Sequence, residues 1–305
     1  MPMSYDRIIL LSYDDVTPHN VTSFRRAAAE RNIKLCEWIP HRISIWCGDG
    51  RVQPLYENSP QDPGVIIHRT VARLRGIAVP ALRLWEKGGS RILNDLSASA
   101  LARDKLATAI KLTETGLPVV PSLAFFPWEE TAFGRLPPGS TVLKPAHGRQ
   151  GQGVSFFATR DAAQAEARAI QWGDAREILS EHSLAQPVIG PVGQDIRAYV
   201  VNGICVAVAR RTASDPRERR ANLTLGAVAT PLSLGHPAAS LAVAATEAIG
   251  LDYAGVDLVE DADQGLQILE VDAWAGFAGL EQATGADISG RILDLAMERL
   301  GGGNI

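Results

Sequence analysis

Cysteine is scarce in this sequence, and the few cysteines present form no recognisable motif. Of 305 residues only three are cysteine, Cys36, Cys47 and Cys205, and no two of them have C-x-x-C spacing. An odd number leaves at least one thiol without an intramolecular partner. The pattern argues against a disulfide framework, and we expect three reduced, partly buried thiols.

Several other signals are absent. The six histidines form no H-E-x-x-H zinc motif, and there is no internal repeat or low-complexity tract. No apolar run approaches the roughly 20 residues that cross a membrane. The first residues carry an acid, Asp6, where a signal peptide has a basic flank. From these absences we predict a cytoplasmic protein without membrane partners.

The charge balance is slightly acidic. Thirty Lys and Arg residues stand against 34 Asp and Glu residues, which gives a formal net charge of -4. Nucleic-acid-binding proteins usually carry a basic excess, so we do not expect nucleic-acid binding. With 46% hydrophobic residues the chain can bury a sizeable core. Its length is typical of about two domains.

Apolar periodicity predicts an α/β unit at the start of the chain and mixed α+β structure after it. Short strands alternate with a helix in the first third, as in parallel α/β units. The remainder alternates extended segments with helices. The main predicted elements are strands at 8–11, 33–39, 64–68, 141–144 and 154–157, and helices at 20–31, 97–112, 161–172, 237–249 and 288–300.

A glycine-rich segment lies between two of these strands. It contains Gly148, Gly151 and Gly153, and Lys144 precedes it. Glycines let backbone N–H groups approach an anion. The segment is neither a Walker P-loop nor a dinucleotide fingerprint, because it lacks Gly-Lys-Ser/Thr and no helix follows. Taken alone it is either a hairpin turn or a phosphate site, and Lys144 favours the second.

Three acids near the C-terminus form a second cluster. Glu270 and Asp272 share a face of one strand, because side chains at i and i+2 point the same way. If the strand carrying Asp257 pairs with theirs, three carboxylates converge. They would repel one another without cations, which indicates Mg²⁺. The alternative is three solvent-facing acids on a hairpin.

A third cluster is basic and polar. Asp195 and Arg197 share one strand face, and Arg210-Arg211 ends a later apolar stretch. The run from Arg217 to Arg220 precedes Asn222 and, by itself, is typical of a solvated loop.

Two predicted strand ends in the first third also carry polar residues. They are Ser12-Tyr13-Asp14-Asp15 and His68-Arg69-Thr70. In α/β units ligands bind at the carboxyl ends of strands. These residues therefore either contribute to an acceptor site, with His68-Arg69-Thr70 holding a second carboxylate, or form ordinary surface loops.

In this order the clusters resemble an ATP-grasp ligase of the RimK type, a branch of amino-acid and glutamate ligases. The resemblance runs from about residue 90 to the C-terminus and includes Asn94, Arg103-Asp104-Lys105-Leu106 and the segment 279–288. It implies an α+β fold with an α/β N-terminal domain at 1–95. It also implies ATP-grasp subdomains at 96–185 and 186–305 that hold the nucleotide between them.

The resemblance also implies a role for each residue of the clusters. Arg211, with Arg210 and Arg220, is expected to stabilise the reacting charge and hold substrate. Asp257, Glu270 and Asp272 are expected to bind two Mg²⁺ ions, with Mn²⁺ as an alternative. The expected ATP-binding residues are Lys105, Lys144, Gly148, Gly151, Gly153, Gln186, Val188, Ile189, Asp195 and Asn222.

The chain departs from the family pattern at three places. Pro187 stands where Glu is usual in the adenine hinge and has no N–H, so the adenine contact falls to Val188 or Ile189. Asp272 replaces Asn and still offers oxygen. Trp274-Ala275-Gly276-Phe277 replaces Pro-Gly on the acceptor side, where an aromatic pair favours a closed, partly apolar pocket.

The function implied is ATP-dependent joining of an amino-acid carboxylate, glutamate favoured, to the amine of a small molecule. The reaction would pass through an acyl phosphate and release ADP and phosphate. Two alternatives stay open: a ligase that modifies a peptide or protein terminus, and a non-catalytic ATP-grasp binding protein. Self-association into a homo-oligomer also stays open.

Overall fold

A computed structural model of the chain describes residues 8–12, 18–69, 76–125, 132–146, 153–170 and 183–301. These ranges combine parallel and antiparallel sheets with helices. The predicted α+β class with an α/β start is confirmed.

The N-terminal region is built on a parallel sheet with strand order β2-β1-β6-β7. Its central strands are buried along their whole length, which matches their continuous apolar sequences. A separate antiparallel sheet, β3-β4-β5, was not predicted. In chain order the elements are β1 (Ile8–Leu11), α1 (Pro18–Glu30), β2 (Leu35–Trp38), β3 (Ile43–Gly48), β4 (Arg51–Tyr56), β5 (Ser59–Pro60), β6 (Val65–His68), α2 (Ala78–Lys87) and β7 (Arg91–Leu93).

The single helix predicted over 97–112 is wrong, because the chain forms two helices there. They are α3 (Leu96–Arg103) and α4 (Lys105–Glu114), and Asp104 separates them in an extended conformation. The Asp104 carboxylate accepts hydrogen bonds from the N–H groups of Leu106 and Ala107, at 2.8 and 3.1 Å. An aspartate is among the strongest N-caps, so it begins a new helix here. Lys105 thereby becomes the first residue of α4.

The central region is a small antiparallel sheet with order β10-β9-β11-β8. One face packs on a helix through apolar side chains such as Leu143, Ala163 and Ala185. The elements are β8 (Leu123–Phe125), β9 (Thr141–Pro145), β10 (Ser155–Phe157), α5 (Arg160–Ile170) and β11 (Ser183–Pro187).

The C-terminal region is a five-stranded antiparallel sheet with order β14-β13-β12-β15-β16. Helix α6 covers one face, and α7 and α8 cover part of the other. The predicted helices 237–249 and 288–300 are present, whereas α7 was not predicted. The elements are β12 (Gln194–Val201), β13 (Ile204–Thr212), β14 (Val228–Pro231), α6 (Pro237–Ile249), β15 (Tyr253–Asp261), β16 (Gly265–Asp272), α7 (Ala278–Thr284) and α8 (Ile288–Gly301).

Asn94, just after β7, ties the N-terminal sheet to the C-terminal one. Its Oδ1 atom accepts from the N–H of Tyr253 at 2.8 Å, and its Nδ2 atom donates to the carbonyls of Tyr253 and Ala273 at 2.9 and 3.1 Å. The residue is buried, so these three bonds replace water as its partners. They fix the end of β7 beside the strands that carry the predicted acids.

Candidate active site

Two arginines and two aspartates form a connected ion-pair network on one face of the C-terminal sheet. The strand register places Asp195 opposite Arg211 and Arg197 opposite Asp257. Arg211 contacts Asp195 through two nitrogens, at 2.6 and 2.7 Å, and lies 3.0 Å from Oδ1 of Asp257. Arg197 binds both carboxylate oxygens of Asp257, one of them at 2.8 Å. Because alternate strand residues share a face, the register brings these four side chains together.

Arg211 and Asp257 are buried, and Asp195 and Arg197 are partly buried, so both burial and neighbouring charges act on the pKa values of the two aspartates. Burial alone would raise the pKa of Asp257, but the guanidiniums of Arg197 and Arg211 outweigh it and lower that pKa to about 2. Burial, followed by repulsion from Asp257, raises the pKa of Asp195 to about 6 against the opposing charge of Arg211. The strand face therefore presents oriented charges in a partly dry environment, where they act strongly on a bound anion.

Two further carboxylates lie beside the network on β16. The predicted pairing of the strands is present: Asp257 lies opposite Glu270, and Gly255 opposite Asp272. Oε1 of Glu270 is 3.1 Å from Nζ of Lys105. Oδ1 of Asp272 accepts from the backbone N–H of Trp274 at 2.9 Å. Burial, followed by repulsion from Glu270, raises the pKa of Asp272.

These acids suit Mg²⁺ in their chemistry but are not gathered into a metal site. Carboxylate oxygens are ligands that Mg²⁺ prefers, and the raised pKa of Asp272 is what an added cation would reverse. Within the described ranges, however, no three His, Cys, Asp or Glu side chains could hold a metal ion together. Asp257 is bound to arginines and Glu270 to Lys105. Binding by all three acids would require those cations to change partners.

The two predicted phosphate lysines face one cleft between the central and C-terminal sheets. Lys105 stands at the N-terminus of α4, the positive end of the helix dipole. Lys144 lies near the end of β9 and is buried. Burial lowers the pKa of Lys144 to about 8, with Glu270 opposing this shift and Lys105 adding to it. Gln186 also lines the cleft. Two ammonium groups in a partly desolvated cleft are suited to an anion such as phosphate.

The structure distinguishes between the two candidate adenine donors of the hinge. Gln186 donates its side-chain Nε2 to Oγ of Ser122 at 2.8 Å. The N–H of Val188 donates to the carbonyl of Ser140 at 2.9 Å. Ile189 has no comparable backbone bond among the residues that the structure describes. Of the two candidates, Ile189 is therefore the one whose N–H stays available.

Arg210 and Arg220 are not brought to this network. Arg210 lies on the opposite face of the sheet from Arg211, because consecutive strand residues alternate, and it pairs with Glu260 at 2.9 Å. Arg220 lies in the loop after β13, and its side chain holds Glu218 at 2.7 and 2.8 Å. The prediction that Arg210 joins Arg211 is contradicted by this alternation.

Two of the remaining predicted nucleotide contacts, Gly153 and Asn222, lie outside helices and strands. Gly153 has φ +72°, and a Cβ there would meet the ring of Pro145 at 3.2 Å, so both conformation and space favour glycine. Asn222 precedes a short 3₁₀ turn, without a side-chain capping bond. Gly148 and Gly151 lie outside the described residues, as do 13–15 and Thr70 of the N-terminal strand ends.

The expected aromatic wall of an acceptor pocket is wrong. Trp274 and Phe277 are buried and belong to hydrophobic cores. The Phe277 ring packs edge-on against Phe24 and Tyr199, with centroids 5.5 and 5.7 Å apart. The centroid of the Trp274 ring lies 5.8 Å from the centroid of the His68 ring. The segment after β16 turns under the N-terminal sheet, so its aromatic rings fill the junction between the two sheets.

Arg197 is the site residue to which the sequence reasoning gave no role. Its signal was available, because it lies two residues after Asp195 in a strand of mostly apolar residues. A guanidinium buried in a sheet is strongly destabilising unless an acid faces it. That requirement predicts an acid on the neighbouring strand, and Asp257 is that acid.

Comparison with known proteins places the chain in a family. The sequence profile of the RimK-like ATP-grasp domain matches residues 101–296. A probable alpha-L-glutamate ligase of Enterobacter sp. (strain 638) is 34% identical over 231 residues, 75% of this chain and 74% of that protein. A ribosomal protein bS6–L-glutamate ligase of Salmonella schwarzengrund (strain CVM19633) is 33% identical over 247 residues, 80% and 77% of the two chains.

The fold is also that of a solved ligase. The structure of the ATP-grasp ligase PsnB with minimal precursor, Mg and ADP is similar, with a TM-score of 0.72 and 19% identity. The likeness covers 98% of this chain and 99% of PsnB. Among the described helices, none has the length and apolar character needed to span a bilayer. The chain belongs to the RimK-like ATP-grasp family, and it is an ATP-dependent ligase that forms carbon–nitrogen bonds between a carboxylate and an amine.

Proposed function

We propose that the protein ligates glutamate to a second substrate through an acyl phosphate, in the cleft between subdomains 96–185 and 186–305. The observation that carries this proposal is the position of two lysines in one cleft next to the buried arginine network of the adjoining sheet. The lysines suit the phosphates of ATP. The network suits the charge that develops when a carboxylate and a phosphoryl group meet.

In the proposed reaction an oxygen of the substrate carboxylate attacks the γ-phosphorus of ATP, and ADP leaves. The amine nitrogen then attacks the acyl carbon, and phosphate leaves with the former carboxylate oxygen. Lys105 and Lys144 neutralise phosphate oxygens, and the Ile189 N–H binds adenine. Arg211 faces the developing charge. Asp195 orients Arg211 and keeps lone pairs for a ribose hydroxyl.

Glu270 and Asp272, joined by Asp257 once its arginines change partners, would hold two Mg²⁺ ions. Bound there, Mg²⁺ neutralises charge on the transferred phosphoryl group. Replacing Glu270 by Gln tests the assignment, and it should raise the Mg²⁺ concentration for half-maximal activity about 10-fold or more. Binding of Mn²⁺ to the nucleotide-loaded protein, followed by electron paramagnetic resonance, provides a readout independent of turnover. Unchanged Mn²⁺ binding in this variant would contradict the assignment.

The second substrate has two candidates. The first is the amine of a small molecule, although burial of Trp274 and Phe277 removes the apolar pocket that favoured it. The second is a peptide or protein terminus. The name of the Salmonella relative, a ribosomal protein bS6–L-glutamate ligase, favours this candidate. The free state of Cys36, Cys47 and Cys205 agrees with the cytoplasmic location that we propose for either reaction.

An ADP-release assay tests the proposed function. The protein is incubated with Mg²⁺-ATP, glutamate and panels of small amines, amino acids and peptides with free carboxyl termini. Toward small amines glutamate supplies the reacting carboxylate and carries the ¹⁸O label; toward a peptide carboxyl terminus glutamate supplies the amine and the peptide carries the label. In either case the label should appear in the released phosphate. Glutamate-dependent ADP release with labelled phosphate is the expected result. ADP release without labelled phosphate would contradict the acyl-phosphate route. ADP release that depends on another amino acid and not on glutamate would contradict glutamate as the substrate.

A further inference from the structure

The end of β6 carries buried polar residues that the proposed reaction does not yet use. Nε2 of His68 lies 2.9 Å from the carbonyl of Asn94, and Nε1 of Trp274 lies 3.5 Å from Nδ1 of His68. Burial lowers the pKa of His68 to about 4, with the bond to Asn94 opposing it. A neutral ring that donates from Nε2 and accepts at Nδ1 satisfies both contacts. His68 thus fixes the strand end against the segment after β16.

The next residue, Arg69, uses only part of its guanidinium. Nη2 donates to the carbonyls of Trp274 and Ala275 at 2.9 and 2.7 Å, and the guanidinium lies 5.0 Å from the ring centroid of Phe277. Nε and Nη1 are buried and have no hydrogen-bond partner in the part of the chain that the structure describes. A guanidinium has five N–H groups, so three make no well-aligned hydrogen bond, although the hydroxyls of Tyr199 and Tyr253 lie close to them.

A second orphaned donor lies nearby on β12. The Tyr199 hydroxyl is buried and lies close to the Arg69 guanidinium, but it forms no well-aligned hydrogen bond with it or with any other described residue. Burial raises the pKa of Tyr199, and the proximity of Arg69 opposes that shift. Tyr199 follows Asp195 and Arg197 at steps of two residues, so it shares their face of the strand. Arg69 and Tyr199 therefore extend the charged face toward the N-terminal sheet.

Orphaned donors of this kind destabilise the free protein. A buried guanidinium without a counter-charge is costly, and so is a buried hydroxyl without a partner. Asp272 influences Arg69 electrostatically, but none of the ion pairs among the described residues joins the two. Features that break the rule of polar satisfaction are expected at functional sites, where a ligand supplies the missing partner.

We propose that Nε and Nη1 of Arg69, with the Tyr199 hydroxyl, form a subsite for the carboxylate of the amino-acid substrate that does not react. A planar guanidinium offers two parallel donors that match the two oxygens of a carboxylate. Because Nε and Nη1 of Arg69 and the Tyr199 hydroxyl are buried, a small carboxylate fits better between them than a nucleotide phosphate. Gly276 is exposed and lies between Ala275 and Phe277, both of which contact Arg69. The subsite rests on the proposed function and specifies which part of the substrate the protein recognises.

Replacing Tyr199 by Phe tests the subsite, because it removes only the orphaned hydroxyl. We expect the free variant to melt at the same or a higher temperature than the wild type, since an unsatisfied group has been removed. We also expect its KM for glutamate to rise about 10-fold or more, because a bond to a charged group is lost, and its KM for ATP to stay unchanged. Arg69→Lys, which retains charge but not the fork, should show the same split between the two KM values.

Tyr56→Phe is the matched control. The Tyr56 hydroxyl accepts from the N–H of Ile39 at 3.1 Å, so its removal should lower the melting temperature and leave the KM for glutamate unchanged. An unchanged KM for glutamate in Tyr199→Phe, with an active wild type, would overturn the subsite while the ligase proposal stands.

Thermal unfolding of the ATP-loaded protein provides a readout without turnover. Glutamate, and a simple carboxylate such as succinate, should raise the melting temperature of the wild type and raise that of Tyr199→Phe less. If the wild type shows no glutamate-dependent ADP release, the proposed function fails, and the succinate titration still decides on the subsite. Equal stabilisation of both proteins by succinate would overturn it.

Discussion

The arginines of the C-terminal sheet and those of the loop after β13 carry the same charge but are held in opposite ways. Arg197 and Arg211 pair with acids 60 and 16 residues away in the chain, and their side chains are 12% and 7% exposed. Arg217 and Arg220 pair with acids two residues before them, and their side chains are 90% and 33% exposed.

This difference separates fixed charges from adaptable ones. A buried pair must form as the sheet forms, because either charge left alone is strongly destabilising. Its orientation is therefore set before a ligand arrives, and only a competing charge, such as Mg²⁺ at Asp257, would rearrange it. An exposed pair between near neighbours contributes little to stability and can exchange its partner for a ligand. We expect the strand arginines to support both fold and catalysis, and Arg220 of the loop to affect substrate binding only.

The largest effect should come from breaking the strand network. Replacing Arg211 by Gln leaves Asp195 buried without a counter-charge, and should lower the free energy of unfolding by about 3–5 kcal/mol and abolish turnover. Adding Asp195→Asn should restore part of the stability but none of the turnover, because the acid no longer needs a partner. Urea unfolding measures the first effect and ADP release the second. Equal stability of wild type and Arg211→Gln would show that the network is not desolvated.

Lys144 is a cation on a strand for which no ion pair with an acid is found among the described residues. Replacing it tests whether such a cation contributes to ligand binding without contributing to stability. Lys144→Met replaces a desolvated amine with an apolar chain of similar length, so the melting temperature should not fall. ADP release should fall about 100-fold or more, because a charge-assisted phosphate contact is lost in a partly dry cleft. Lys87→Met, on the exposed end of α2, is the control and should change neither value. Near-normal ADP release from folded Lys144→Met would remove the residue from the site.

The pH dependence of ATP binding should report the same lysine. Because burial lowers the pKa of Lys144 to about 8, the free protein loses this proton as the pH rises through 8. Phosphate favours the ammonium form, so binding above pH 8 requires proton uptake and ATP affinity should fall by up to about tenfold per pH unit. Isothermal titration calorimetry across pH 7 to about 10 measures this. Lys144→Arg keeps its charge and should flatten the profile, and a slope that persists in Lys144→Arg would assign it to another group.

The smallest effects should come from the loop. Arg220→Ala should leave the unfolding midpoint nearly unchanged and raise the KM for one substrate about 10-fold, since a guanidinium freed from Glu218 can bind a carboxylate or phosphate. Arg217→Ala is the matched variant on the same loop. It should change neither quantity, because we assign Arg217 no substrate contact and its side chain is almost fully exposed. A loss of stability in Arg220→Ala that exceeds the loss in Arg211→Gln would reverse the comparison.

Elements with strong local signals were predictable from the sequence. Helix α6 begins at Pro237, a favoured first helical residue, and ends before Gly250, which has φ +83°. The cap at Asp104 was as strong a signal, but the apolar pattern continues across it and suggests one helix. The sheet β3-β4-β5 lacked the clear alternation of a half-buried hairpin, so its strands were not predicted.

The sequence predicts on which face of a strand a side chain lies better than it predicts which distant residues that side chain contacts. The side chains of Trp274 and Phe277 looked like pocket walls because no local rule shows what packs on them. Their burial depends on the N-terminal sheet, more than 200 residues earlier, where His68 and Arg69 contact the same segment. Burial of this kind follows from packing between distant segments.

The sequence by itself determined the order of the motifs and, through strand alternation, which charged residues share a face. Asp195 with Arg197, and Glu270 with Asp272, follow from the two-residue period of an extended backbone, which is a local property. Only the tertiary structure decided which cation meets which acid: Arg211 with Asp195 and Asp257, and Lys105 with Glu270. Those pairings depend on the register and packing of segments far apart in the chain, where burial makes an unpaired charge costly and so selects its partner.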